Sequence, residues 1–184
     1  MLRDIQHAAL DLVEEQGLEA TTVGDIADRV GVSERTVFRY YPSKEHALMP
    51  GQQGLVNALV ACETGHHTSS GILEVLLTVC REHFSHEVEQ RDFRRISRLM
   101  IQEPEMLRVA MRQERHLVEA LSSALLHRSV LDGLQSLLVA EVVTASWRVA
   151  WQSFARDEYD GVASDPVALF DRTVRELSQL FPNP

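Results

Sequence analysis

The chain has 184 residues, of which 45% are hydrophobic and 24% are charged, and its formal net charge is −9. These proportions are ordinary for a globular protein, and the length suits one large domain or a small domain joined to a larger one. No run of about 18 apolar residues is present, which argues against a membrane-spanning helix, and the first residues lack the layout of a signal peptide. Because Cys62 and Cys80 are the only cysteines, the sequence predicts a cytoplasmic protein with reduced thiols.

The first predicted helix runs from Leu2 to Gln16. Its apolar residues recur with helical spacing, and Gly17 suits the end of such a helix. We expect this helix to pack over the two that follow and to complete a three-helix domain. Its apolar stripe consists of Ile5, Ala8, Ala9, Leu12 and Val13.

Two short helices follow, and the residues at their ends are typical of helix termini. Thr22 can cap the first of them by accepting from the N–H of Asp25, whose carboxylate suits the positive end of the helix dipole. Gly31 ends that helix, since glycine adopts the left-handed conformation without a Cβ penalty. Ser33 caps the next helix, on which Val37 faces inward. Two short helices joined by Gly-Val-Ser, the second rich in Arg and Tyr, predict a helix-turn-helix.

The segment from Phe38 to Lys44 does not follow from the packing of two helices alone. Together with the preceding turn, it resembles the DNA-binding domain of tetracycline-repressor-like (TetR family) regulators. The matching residues are Thr21-Thr22-Val23, Ile26-Ala27, Gly31-Val32-Ser33, Thr36-Val37-Phe38, Tyr40-Tyr41 and Ser43-Lys44.

This resemblance implies a regulator of transcription whose second motif helix enters the major groove of DNA. Phe38 stands where many members of the family have a tyrosine, so a phosphate contact from that hydroxyl is lost. The implied DNA-binding residues are Thr36, Tyr40 and Lys44 at phosphates, Glu34, Arg35 and Arg39 at base edges, and the capping residue Thr22.

The negative net charge does not exclude DNA binding, because the charges are unevenly distributed. Residues 1–50 hold five basic and nine acidic side chains, but between Arg29 and Lys44 there are four bases and a single acid, Glu34. Salt screens each charge beyond about 10 Å. The basic surface is therefore local, and the acidic remainder limits non-specific binding.

The rest of the chain also has helical patterning. A fourth helix begins after Ser43, but Pro50, Gly51 and Gly54 interrupt it; the break either loosens the link between two domains or is an irregular connection. Further helices are predicted at 72–86, 90–102, 104–127 and 134–158, and a last one has Asp165 as its cap. The sequence thus predicts an all-α protein of about nine helices, with a helix-turn-helix DNA-binding domain at 1–46 and a helical effector-binding and dimerisation domain at 47–184.

The penultimate helix bears on assembly. From Leu134 to Trp147 it carries one charge, Glu141, and apolar residues face every direction, so the helix must be covered on all sides. It is either the central helix of a single monomer or, as in the family, part of a four-helix interface between two copies; we adopt the second interpretation. The predicted interface consists of Val139, Val143, Val167, Phe170, Val174, Leu177 and Phe181.

The resemblance also implies a ligand pocket in the larger domain. Its candidate residues are methionines and aromatics at helical spacing, a pattern that is equally typical of an ordinary core. Arginines crowd two adjacent predicted helices, where they either bind an anionic effector such as an acyl thioester or form solvated pairs with nearby acids. The pocket candidates are Phe84, Phe93, Met100, Met106, Met111, Trp147, Trp151 and Phe154; the arginines are Arg91, Arg94, Arg95, Arg98, Arg108, Arg112 and Arg115.

No catalytic residue, metal site or cofactor is predicted. Zinc requires a compact set of three or four ligands, and neither His66-His67 nor His83 with His86 and Glu87 has such a pattern. The sequence also lacks a Gly-rich phosphate loop and a G-x-S-x-G motif.

The sequence therefore predicts a DNA-binding transcriptional regulator, namely a homodimeric repressor that a small-molecule effector releases from a pseudo-palindromic operator. Two alternatives stay open. One is a dimeric helical protein whose helix-turn-helix contacts other proteins, and the other is a helical enzyme.

Overall fold

The computed structural model describes residues 1–49, 52–63, 68–90, 92–128 and 131–180, and these ranges contain ten α-helices and no strand. The predicted all-α fold is confirmed. The tenth helix arises because the predicted fourth helix is in fact two, on either side of residues 50 and 51, which lie outside the described ranges. The helices are α1 (Leu2–Gln16), α2 (Val23–Val30), α3 (Glu34–Tyr40), α4 (Lys44–Leu48), α5 (Gln53–Ala61), α6 (Ser69–Val88), α7 (Phe93–Gln102), α8 (Pro104–His127), α9 (Gly133–Asp160) and α10 (Pro166–Leu180).

Local capping fixes the ends of α2 and α3. Thr22 Oγ1 accepts from the Asp25 N–H at 3.1 Å, while the Asp25 carboxylate accepts from the Thr22 N–H at 2.8 Å. Gly31 ends α2 with φ 75°, a conformation that favours glycine. Ser33 Oγ then accepts from the Thr36 N–H at 3.2 Å. The backbone groups on both sides of the turn are thus satisfied as the sequence predicts.

A small core holds the first helices together. α1 packs against α2 and α4, and α2 packs against α3. Ile5 and Ala9 of α1 meet this core from one side, and Ile26, Ala27 and Val37 are buried with them. The single inward residue of α3 is Val37, so the rest of that short helix is left to face outward.

In the remainder of the chain, α9 is the central helix. It begins after an Asp132–Gln135 capping box and packs against α6, α7, α8 and α10. Its inner face contributes to a packed aromatic cluster with neighbouring ring centroids 5.0 to 6.4 Å apart. The members of this cluster are Phe84, Phe93, Trp147, Trp151, Phe154 and Phe170.

Helix α4 connects the two parts of the molecule. It packs against α1 on one side and α8 on the other, so the predicted domain boundary between residues 46 and 47 falls inside a helix. We call α1–α4 the head and α5–α10 the body. Over the described residues, no helix is both long and apolar enough to cross a bilayer.

Candidate functional site

The outward face of α3 carries cationic and aromatic side chains. Arg35 and Arg39 lie four residues apart, on the same side of the helix, and both are exposed, as is Tyr40. The Arg39 guanidinium carbon lies 4.9 Å from the centre of the Tyr40 ring, and its Nη2 donates to the Tyr40 hydroxyl at 3.3 Å. Stacking on Tyr40 orients Arg39 without neutralising its charge.

Arg35 and Arg39 differ from most arginines of the protein in their electrostatic environment. Neither forms an ion pair within the described part of the chain. By contrast, Arg29 of α2 forms an ion pair with Glu15 of α1 at 2.7 Å. Other arginines with carboxylate partners are Arg81, Arg94, Arg95, Arg98, Arg108, Arg115, Arg148 and Arg172. The face of α3 therefore presents cations whose donors are available to an external anion.

Two of the predicted contact residues already have hydrogen-bond partners inside the head, and a third lies against α2. The Thr22 hydroxyl donates to Asp25 Oδ2 at 2.7 Å, and Thr36 Oγ1 lies 2.9 Å from Ser33 Oγ. A carboxylate oxygen of Glu34 would lie 3.2 Å from a Cβ placed on Gly24, so this acid sits over the start of α2, where the helix dipole is positive. These contacts engage the three side chains within the head, whereas Arg35, Arg39 and Tyr40 are exposed on α3.

The ammonium group of Lys44 is also engaged. It donates to the carbonyl oxygens of Leu18 at 2.6 Å, Thr21 at 2.7 Å and Glu19 at 3.4 Å. An ammonium has three donors, and here all three point at the loop between α1 and α2. The structure therefore gives Lys44 a role in holding that loop, whereas the family resemblance implies contact with a phosphate.

A second exposed surface lies between α9 and α10. It is an open groove of about 560 Å³, with an apolar lining interrupted by ion-pairing residues. On the same side of α9, Leu134 and Leu138 are 76% and 60% exposed. We call this surface the α9–α10 groove; its lining includes Val142, Ala145, Ser146, Val149, Leu169, Thr173, Leu177 and Leu180.

Only part of the predicted dimer interface lies on this groove. Leu177 lines it, and Val174 is partly buried against the core. Val139, Val143 and Phe170 instead point into the monomer core, because α9 and α10 use those faces to pack against their own neighbours. The burial of these three residues within one chain does not support their assignment to an interface, which stays a prediction. Val167 is half-buried, and Phe181 lies outside the described residues.

The predicted pocket residues are mostly packed against one another. Phe84, Met106, Trp147 and Phe154 are buried in the core and line no described cavity. Met100 is likewise buried, whereas Met111 is 60% exposed on α8 and lines neither described cavity. Both assignments to a ligand pocket stay predictions. Phe93 and Trp151 are the two candidates that line a cavity. The methionine and aromatic pattern therefore describes a core more than a pocket.

The cavity that Phe93 and Trp151 line lies between the head and the body and has a volume of about 290 Å³. This cavity was not predicted from the sequence, because its walls come from four stretches that are far apart in the chain. We call it the seam cavity. Its lining is Arg3, Gln6 and His7 of α1, Gln52, Glu87 and Gln90, and Asp92, Phe93, Ile96 and Trp151.

Ion pairs beside this cavity tie the head to the body. Arg95 of α7 donates to Asp11 at 2.6 Å and to Glu14 at 2.8 Å, both on α1, and to Asp92 at 3.1 Å. The hydrogen bond to Glu14, followed by those to the other carboxylates, raises the pKa of Arg95 against the opposing effect of burial. His7 of α1 lies 2.5 Å from the buried Asp92 carboxylate. Two contacts thus converge on Asp92, at the beginning of α7.

Except for Arg112, the described arginines on α7 and α8 form ion pairs rather than a free anion site. Arg94 and Arg98 both contact Glu158 of α9. Arg108 pairs with Glu105 at 2.7 Å. Arg115 pairs with Glu119 at 3.0 Å. Of the two interpretations of these arginines, the structure favours solvated pairing, and Arg91 lies outside the described residues.

Metal and thiol chemistry have no assembled site in the described ranges. No three His, Cys, Asp or Glu side chains converge there in a way that could hold a metal ion. Cys80 is buried in the core, and burial raises the pKa of its thiol to about 12. It therefore packs as a small apolar residue.

Residues 5–48, which span α1 to α4, match the model of a family described as bacterial regulatory proteins, tetR family. Over this stretch, about a quarter of its length, the chain is similar to regulators of the tetR family. The match includes every predicted DNA-binding residue, and it ends at Leu48, the last residue of α4.

Solved structures of TetR regulators share the fold of the whole chain. Thermus thermophilus FadR, a TetR family transcriptional repressor in complex with lauroyl-CoA, is 23% identical with a TM-score of 0.55, over 100% of this chain and 99% of that one. NalD of Pseudomonas aeruginosa, the secondary repressor of the MexAB-OprM multidrug efflux pump, is 19% identical with a TM-score of 0.56, over 95% and 94%. FadR of Bacillus halodurans, a fatty acid degradation regulator, is 16% identical with a TM-score of 0.55, over 96% and 93%. No curated protein matches the sequence of this chain.

Proposed function

We propose that this protein is a homodimeric repressor, which binds a pseudo-palindromic operator through α3 and is released by a small molecule. The observation that carries the proposal is the pair of exposed arginines on α3, Arg35 and Arg39, which lack carboxylate partners in the described ranges. In a protein of net charge −9, two uncompensated cations on a helix-turn-helix mark the surface that an anionic polymer would approach.

The chemistry of α3 suits the major groove. An arginine can donate two parallel hydrogen bonds to O6 and N7 of guanine, and each such pair contributes about 1–3 kcal/mol of discrimination. Arg35 and Arg39 are the candidates for this contact. The hydroxyl of Tyr40, held next to Arg39, is suited to a phosphate contact that positions the head without reading sequence.

The α9–α10 groove supports the homodimer. Leu134 and Leu138 are too exposed and too apolar for a surface that faces water alone, and large apolar patches mark interaction sites. A second copy related by a two-fold axis would cover the same patch on both protomers and form a four-helix interface. Two heads related in this way would meet half-sites that are themselves related by symmetry.

Release requires that a ligand bind better to a conformation whose heads no longer fit the operator. The contacts of Arg95 and His7 supply a direct mechanical link for this change, because both join α1 to the start of α7. The described relatives include repressors, and one of them is bound to lauroyl-CoA. These names support repression and ligand control here, in a protein that would act in the cytoplasm.

The alternative function, protein recognition by the helix-turn-helix, rests on Phe38. This side chain is 50% exposed on α3, where a hydroxyl-free ring suits an apolar partner better than a phosphate. A gel-shift assay with the DNA upstream of the gene separates the two functions. We expect one fragment to bind specifically, and Arg35→Ala and Arg39→Ala to weaken its binding at least tenfold, since each removes a charged contact.

The control for this assay is Arg112→Ala. Arg112 is exposed on α8 and has no ion pair in the described ranges, so its replacement changes net charge by the same amount away from α3. Retention of full affinity by both α3 variants would overturn the proposal.

A further inference from the structure

The seam cavity has the construction of a ligand site rather than that of a packing fault. Its floor is apolar, formed by Phe93, Ile96 and Trp151, and its mouth is polar. The rings of Phe93 and Trp151 are stacked, with centroids 5.6 Å apart and planes inclined by 23°. Ligand sites commonly combine an apolar floor with a few polar groups that orient the ligand.

One of the polar groups lacks a partner. Gln52 is nine-tenths buried and lines the cavity, yet its Oε1 has no hydrogen-bond partner among the described residues. Although it precedes α5, its side chain makes no capping hydrogen bond. Buried carbonyl oxygens of this kind are normally satisfied. The spare oxygen is therefore an acceptor that a ligand N–H or O–H could satisfy.

The charges around the cavity restrict the ligand further. Glu87 and Asp92 line it; Glu87 lies 3.3 Å from His83, and Asp92 lies 2.5 Å from His7 and is also paired with Arg95 at 3.1 Å. Arg3 is the one arginine among the described lining residues. Besides His7, the described lining carries two carboxylates and one guanidinium, so it does not favour an anion. Aromatic faces beside carboxylates suit a flat neutral or singly cationic molecule.

We propose that the seam cavity binds a small planar aromatic molecule, neutral or monocationic, which donates a hydrogen bond to Gln52 Oε1. This inference rests on the proposed function, since it makes the molecule the effector. The head contributes Arg3, Gln6 and His7 to the walls, and the body contributes the aromatic floor. A ligand held by both parts binds with a different affinity when the position of the head relative to the body changes. Allosteric control requires such a difference in affinity.

The test uses three naphthalene probes of equal ring size on the full-length protein without DNA. 2-Naphthylmethylamine is a cationic donor, 2-naphthol is a neutral donor, and 2-naphthoate is an anion without a donor at neutral pH. Calorimetry gives the affinities, and the indole N–H resonance of Trp151 reports on the site. We expect both donors to bind once per chain, to shift this resonance and to bind at least tenfold more tightly than 2-naphthoate.

Two variants locate the binding. Gln52→Met keeps the length of the side chain and removes the acceptor, so it should weaken both donors by about three- to tenfold. Gln102→Met, an identical change at an exposed position outside the cavity, should leave them unchanged. Gln6→Phe, which fills the mouth from the head side, should abolish binding without altering the body core.

The inference is overturned if no donor binds, if 2-naphthoate binds as tightly, or if Gln52→Met binds like the parent. A second measurement addresses control of DNA binding. We expect saturating 2-naphthylmethylamine to change operator affinity by about five- to a hundredfold. Cavity binding without that change would refute the coupling, whereas absence of operator binding in any condition would refute the proposed function and leave the cavity result standing.

Discussion

Replacing Lys44 with methionine tests whether this lysine holds the head together or contacts DNA. In the structure its ammonium donates to the carbonyls of Leu18 and Thr21 at 2.6 and 2.7 Å, with a longer bond to Glu19. Hydrogen bonds from charged groups contribute about 1.5–3 kcal/mol each when they are well shielded. Because Lys44 is half-exposed, we discount this range for solvent and expect a total loss of about 2 kcal/mol.

In a chain of this length, a loss of that size lowers the melting temperature by about 4–8 °C. Thermal unfolding at one fixed protein concentration measures it. Arg35→Met is the matched control, since it removes a cation from an exposed position and should change the free energy of unfolding by no more than about 0.5 kcal/mol.

The salt dependence of DNA binding tests Lys44→Met independently of the melting temperature. Each phosphate neutralised contributes about −0.9 to the slope of log K against log salt. Lys44→Met should leave this slope unchanged, although the less stable head lowers the affinity itself. If Lys44→Met melts like the parent but makes the slope shallower by about two units, one for each head of a dimer, the lysine contacts phosphate and our reasoning is wrong.

Three further predictions concern the body and its link to the head. Leu138→Glu, on the exposed α9 face next to the α9–α10 groove, should yield monomers in light scattering, while Leu107→Glu on the exposed side of α8 should remain dimeric; dimers in both would place the interface elsewhere. The Cys80 thiol, with its pKa raised to about 12, should stay unreactive towards a disulfide reagent at pH 8 until the protein unfolds, and labelling at the rate of a free thiol would contradict its burial. Arg95→Gln removes the charged contacts to α1 and should lower the free energy of unfolding by about 2 kcal/mol; hydrogen exchange in α1 should accelerate, and exchange at the parent rate would show that these ion pairs do not restrain the head.

The features that sequence predicted best are those decided by near neighbours in the chain. The caps at Thr22, Ser33 and Asp165 depend on N–H groups two or three residues away. The turn at Gly31 depends on one backbone conformation. Such short-range requirements are visible in the sequence itself, which is why the boundaries of the helix-turn-helix were predicted closely.

The orientation of α9 could not be predicted in the same way. A helix that is apolar on all sides gives no periodic signal for which face turns inward. Val142 lines the outer groove and Val143 lies in the core, although they are adjacent and chemically identical. Their difference depends on where α6, α7 and α10 pack, which is a property of the tertiary structure.

Long-range polar contacts were unpredictable for a related reason. The carbonyls that Lys44 contacts lie 23 to 26 residues earlier in the chain. Similarly, Arg95 reaches carboxylates on α1 that are more than 80 residues away. Lys44 has no acidic partner at helical spacing, and the pairing of Arg95 with Asp92, three residues earlier, gives no sign of its contacts to α1. Local patterns therefore miss both sets of long-range contacts.

The most direct test of the central claim is selection of binding sites from a random DNA library by the purified protein. The account predicts enrichment of two symmetric half-sites, with their centres about 10–11 base pairs apart or a multiple of that spacing, and loss of preference at a guanine in each half-site for Arg35→Ala or Arg39→Ala. A site without two-fold symmetry, a sequence preference that survives both replacements, or no enriched sequence at all would contradict it.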